Sequence, residues 1–133
     1  MNYSAAVLER ARDPKHAGWL PRDAPDVGTG EAGSIDSGAM TRIQIRVVAA
    51  SQRIEEAVFK VVGCSAAIAS ASLVAERLQG ATVSAARALE GFAIVAELQL
   101  PMERAGVAAV AVEAAQAAID DWERKHERGG RGR

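Results

Sequence analysis

The strongest constraint on the fold is a pair of patterned stretches in the middle of the chain. From Thr41 to Val47, Ile43, Ile45 and Val47 share one face while Arg42, Gln44 and Arg46 share the other. That period of two is what a half-buried strand requires. A second β-rich run, Ile54 to Val62, comes after a short polar turn at Ala50 to Arg53. Two such runs so close together predict an antiparallel hairpin. Gly63 ends the second run, and the spacing then changes. Ile68, Ser72, Ala75 and Leu78 recur at helical intervals between Ser65 and Leu78, with Gly80 placed to close the helix.

The flanks supply more helix. Asn2 or Ser4 can cap a first helix reaching Arg12, which Asp13-Pro14 ends. Residues 15 to 39, with glycines at 18, 28, 30, 33 and 38, read as an extended irregular segment. Thr82 or Ser84 can cap a short helix to Leu89. Phe92 to Leu98 suits helix and strand alike, and Pro101 precedes a long helix from about Glu103 to Glu127. The expected fold is α+β, an antiparallel, hairpin-based sheet with helices packed on one face. Residues 1–127 form one domain in this reading, and residues 128–133 a flexible tail.

Size and charge narrow the function. A chain of 133 residues, 49% hydrophobic, holds enough apolar side chain for a core without disulfide or structural metal. A net charge of −1 offers no broad basic field for nucleic acid or an anionic membrane. Glu9, Arg10, Arg12 and Asp13 near the start are unlike a secretory leader, and the apolar stretch Val107 to Ile119 is too short to cross a bilayer. A cytoplasmic protein is expected.

Few residues can carry chemistry. Glu55 and Glu56 are adjacent on a strand and point to opposite faces, so they make no acid/base pair. Gly28, Gly30 and Gly33 have the spacing of a phosphate loop but precede a strand instead of opening a helix; backbone freedom is their expected role. His16 and His126 lie far apart, without metal-ligand spacing, and no nucleophile, base and orienting group can be assembled. The chain is therefore read as a non-enzyme. Cys64 is the one cysteine. Just after Gly63, at a helix N-terminus, it can act as a reactive sulfur or pack as a small apolar residue. The alanine-rich face from Ala105 to Ala118 permits close helix packing, within the domain or against another chain.

The run Phe59-Lys60-Val61-Val62-Gly63-Cys64-Ser65-Ala66-Ala67-Ile68-Ala69-Ser70-Ala71-Ser72-Leu73-Val74 resembles the second cysteine motif of the IscU/NifU iron–sulfur scaffold family. In that family too, strand, Gly-Cys and a small-residue helix stand in this order. Tyr3-Ser4, Asp13-Pro14, Val27-Gly28-Thr29-Gly30, Gln44-Ile45-Arg46-Val47 and Glu97-Leu98-Gln99-Leu100-Pro101 extend the resemblance over nearly the whole chain. It implies the fold of those scaffolds. It also implies their chemistry, a [2Fe–2S] cluster assembled on three cysteines, with an aspartate and a histidine nearby, from persulfide sulfur supplied by a cysteine desulfurase.

Carried over position by position, the first cysteine falls on Ser37, the aspartate on Ala39, the second cysteine on Cys64, and the His-Cys pair on Gly106 and Val107. Cys64 is the only retained ligand, with Ser37 and Asp36 as weak oxygen donors. Clusters need soft donors, usually four per cluster. The expected cofactor state is thus no stably bound cluster, with iron or [2Fe–2S] held only if a second chain or partner adds ligands. The segment that a dedicated chaperone reads in the family falls on Leu100-Pro101-Met102-Glu103-Arg104, which lacks its second proline and its valine. Expected partners are proteins, a cysteine desulfurase or a client enzyme, and the chain can oligomerise. The leading reading is an IscU-like protein of iron–sulfur assembly or maturation. The alternative is a structural subunit or adaptor that docks on an enzyme, and a third is a thiol enzyme or sulfur carrier centred on Cys64.

Overall fold

The computed structural model describes residues 3–34, 36 and 38–131. Helix α1, Ala5–Arg12, is capped by Ser4, whose Oγ accepts from the Val7 N–H and donates to the Leu98 carbonyl at 2.6 Å. Strands β1 (Val27–Ser34), β2 (Ala39–Val48) and β3 (Arg53–Gly63) form an antiparallel sheet in that order. Helices α2 (Ser65–Leu78), α3 (Val83–Arg87) and α4 (Gly91–Leu98) come next, then a 3₁₀ turn at Met102–Arg104 and the long α5, Ala105–Arg131.

The hairpin, the capped first helix and the helix after Gly63 stand where the sequence put them. Ile43, Ile45, Phe59 and Ile54 turn inward to meet Leu73, Val74 and Leu78 of α2, all at most 4% exposed. Burying each of these side chains stabilises the fold by roughly 1.5–3 kcal/mol. The structure therefore shows the expected α+β sheet with its helices on one face. Among the described residues, no helix is long and apolar enough to cross a membrane.

Two expectations needed correction. The segment from 15 to 39 is not irregular throughout, because Val27–Ser34 forms an edge strand paired along its length with Ala39–Arg46. Its composition hid it, since glycines weaken a strand in isolation. The reason for those glycines is packing: a Cβ on Gly28 would lie 2.1 Å from the Ala118 carbonyl oxygen, and one on Gly30 2.2 Å from that of Ala114. Alanine-rich α5 thus lies directly on the backbone of β1. The undecided segment around Phe92 is helical, and α5 runs past Glu127 to Arg131.

The remainder of the first loop folds over the outer face of the sheet, where Leu20 packs with Val27 and Val58. A buried amide holds it there. Gln44 Nε2 donates to the Leu20 carbonyl at 2.8 Å and to Thr29 Oγ1 at 2.9 Å, while its Oε1 accepts from the Leu20 N–H at 2.8 Å. Gln44→Leu would strand these buried groups and is expected to cost about 3 kcal/mol. Urea unfolding checks this, with a lowered midpoint at an unchanged slope. Lys125 of α5 fastens the same loop, donating to the carbonyls of Arg22, Ala24 and Val27.

Candidate functional site

The end of the sheet at which β2 begins and β3 finishes brings the singled-out positions together. Ala39 pairs directly with Gly63 in the register, so Cys64 comes immediately beside the start of β2. Gly63 is confined there: a Cβ would come within 3.0 Å of the Gly38 carbonyl oxygen and 3.1 Å of the Ala67 Cβ. At Gly33 the chain adopts φ +82°, and a Cβ would lie 2.2 Å from the Ala39 carbonyl oxygen and 3.0 Å from Val110 Cγ1. The end of β1, the start of β2 and the first turns of α5 therefore converge on one corner.

Cys64 is the N-cap of α2, half-buried and free, and its side chain makes no capping hydrogen bond. Tyr3, Cys64 and Val107 all pack as partly buried groups against the main core. Arg104, in the 3₁₀ turn just before α5, donates from Nε to the Tyr3 hydroxyl at 3.1 Å. That bond, then its attraction to Tyr3 and to Cys64, raises the Arg104 pKa above the usual guanidinium value. A positive charge held by Tyr3 thus stands near the cysteine corner. The residues around Arg104 were singled out in the sequence only as a chaperone-type segment. The clue to their closeness was the family resemblance, which carries ligand positions over to both Cys64 and the start of the last helix.

The family model described as "NifU-like N terminal domain" matches residues 2–129. The chain belongs to that family. It is 38% identical over 129 residues to "Iron-sulfur cluster assembly scaffold protein IscU" of Azotobacter vinelandii, covering 97% of this chain and 98% of that protein. To the protein of the same name in Escherichia coli K12 it is 35% identical over 127 residues, covering 96% and 98%. A crystal structure of a nitrogen-fixing NifU-like protein (N-terminal) from Brucella abortus superposes with a TM-score of 0.67 at 22% identity, over 92% of this chain and 94% of that one. The latter likeness concerns the fold.

Within this NifU-like domain the carried-over positions have distinct surroundings. Ala39 is 1% exposed, Val107 is half-buried, and Gly106 opens to solvent, where a Cβ would meet nothing within 4 Å beyond its chain neighbours and the backbone of its own helix. None of these three side chains has a donor atom. Asp36 lies exposed in the turn between β1 and β2, whereas Ser37 lies outside the described residues. Among the described residues, no group of three or more histidine, cysteine, aspartate or glutamate side chains is placed to hold a metal ion. His16 and His126 stay away from the corner. The His16 carbonyl accepts from the Phe59 N–H, and the His126 ring stacks on Trp122 at 5.1 Å.

Proposed function

We propose that this NifU-like domain serves iron–sulfur assembly as a sulfur-accepting, docking member that does not retain a [2Fe–2S] cluster by itself. The observation that carries the reading is the corner around Cys64, where the one cysteine follows Gly63, the register partner of Ala39, and the carried-over positions Ala39, Gly106 and Val107 offer no donor atom. Two irons bridged by sulfide need about four terminal donors, most of them thiolates. Cys64 with a solvated carboxylate at Asp36 does not fit that requirement, so no step is assigned to a cluster on the single chain.

What the corner can do is take sulfur. The Cys64 sulfur attacks the terminal sulfur of a cysteine persulfide on a desulfurase. A new S–S bond forms at Cys64, the old S–S bond breaks, and its electron pair leaves on the desulfurase cysteine. The thiol proton passes to solvent, and no net oxidation occurs. Arg104, close enough to be attracted to Cys64, brings a positive charge to the corner that would receive the persulfide anion. Full-length similarity to scaffold proteins supports protein partners of the assembly pathway, a desulfurase first among them. A free thiol suits a reducing, cytoplasmic setting.

Incubation with a persulfide-loaded cysteine desulfurase, then intact mass spectrometry, tests this. One extra sulfur atom on the wild-type chain is expected, and none on Cys64→Ser of unchanged circular dichroism. A wild-type chain that binds the desulfurase yet gains no sulfur would contradict the reading and favour a pure adaptor.

A further inference from the structure

A groove of ≈ 410 Å³ runs between the first loop and β3, lined in part by Pro14, Ala17, Trp19, Arg42, Lys60 and Ile68. Three of its features serve nothing in the fold. Trp19 is 72% exposed although it is among the largest side chains in the molecule. Arg42 and Lys60 stand directly opposite one another on β2 and β3, and like charges so placed repel. The carboxylate nearest in register, Glu31, is bonded to Arg22 at 2.6 Å. Arg42 Nε is buried with no hydrogen-bond partner, and neither Arg42 nor Lys60 joins an ion pair among the described residues.

The third feature is the sheet edge itself. The Phe59 N–H donates to the His16 carbonyl at 3.0 Å, and the Phe59 carbonyl accepts from the Gly18 N–H at 3.1 Å. Both bonds point away from β2. By the alternation of an antiparallel ladder, Val61, two residues on, turns its N–H and C=O outward as well. The first loop leaves the edge before reaching it, because Leu20 crosses to the outer face and bonds Gln44. The edge at Val61 is thus left open, beside two unneutralised cations and an exposed indole.

We infer that this groove docks an extended, acidic segment of a partner protein, added to β3 as a further strand at Val61. Alternate residues of such a strand face opposite sides. Carboxylates on one side meet Lys60 and Arg42, and apolar residues on the other lie against Ile68 and the flank of Trp19. Charge complementarity selects the partner, and backbone pairing fixes its register. The docked strand would end next to Cys64, three positions beyond Val61. This assignment stands independently of whether Cys64 accepts sulfur.

Titrating the isotopically labelled full chain with a short peptide that alternates glutamate and valine, with amide NMR as the readout, tests it. Shifts are expected at the Val61 amide and the Trp19 indole, together with slowed hydrogen exchange at Val61. Arg42→Glu combined with Lys60→Glu should weaken binding by about tenfold or more, and the milder Lys60→Gln by a smaller factor. Equal binding of the corresponding lysine–valine peptide would overturn the proposal. So would peptide binding without protection of Val61, which would mark charge attraction alone, or a concentration-dependent dimer that protects Val61 without peptide.

Discussion

Gly30→Ala is expected to be among the most damaging single-methyl changes in the molecule. The added carbon would sit 2.2 Å from the Ala114 carbonyl oxygen and 2.3 Å from the Ala118 nitrogen, both backbone atoms of a long helix. A side chain could rotate aside, but a helix backbone must move as a body, parting α5 from β1 along its length. Overpacking that cannot relax costs about 4 kcal/mol or more, against a total stability of about 5–15 kcal/mol. A fall in melting temperature of roughly 15 °C should result. Gly106→Ala is the control of opposite sign. Its Cβ meets nothing within 4 Å, and alanine favours a helix over glycine by about 1 kcal/mol, so α5 should be strengthened. If thermal unfolding showed the two variants alike, the close seating of α5 on β1 would be wrong.

The second large effect is a gain. Combining Ser37→Cys, Ala39→Asp, Gly106→His and Val107→Cys with the existing Cys64 returns every family ligand type to its position. This variant is expected to take up close to one [2Fe–2S] cluster per chain under anaerobic reconstitution. The sites do not accept their new groups equally. Gly106 opens on solvent and has room for an imidazole, and Val107 exchanges one medium-sized side chain for another. Ala39 is 1% exposed, so a carboxylate there costs several kcal/mol until a cation satisfies it. The apo form of the four-fold variant should therefore be less stable than the wild type, and cluster loading should recover the loss. A variant that omits Ala39→Asp avoids that cost and keeps three thiols. Should both remain colourless, something other than missing donors blocks the corner.

The sequence made the hairpin and α2 legible because their side-chain periods are strong and agree with their ends. Ile43, Ile45 and Val47 repeat every second residue, and Gly63 and Gly80 bracket the helix between them. Strand β1 escaped notice because its glycines answer to a helix some ninety residues away, and no local pattern records that contact. Phe92 stayed undecided for a related reason, being in an apolar run too short for its period to show. At the site, the ligand-type positions were legible through family resemblance, and the Ala39–Gly63 pairing shows why two of them meet. The nearness of Arg104 to Cys64 was not legible, because it arises where separate segments come together. Nor was the pairing of Arg42 with Lys60 foreseen, since each alone looks like an ordinary solvated residue of a strand.

The account depends on one thiolate being too few. Anaerobic reconstitution of the wild-type chain with iron and a cysteine desulfurase, then gel filtration and assay of iron and acid-labile sulfide on the monomer, measures this directly. Iron and sulfide far below one cluster per chain are predicted, with no visible absorption of a [2Fe–2S] centre. A coloured monomer carrying near-stoichiometric iron and sulfide would contradict it.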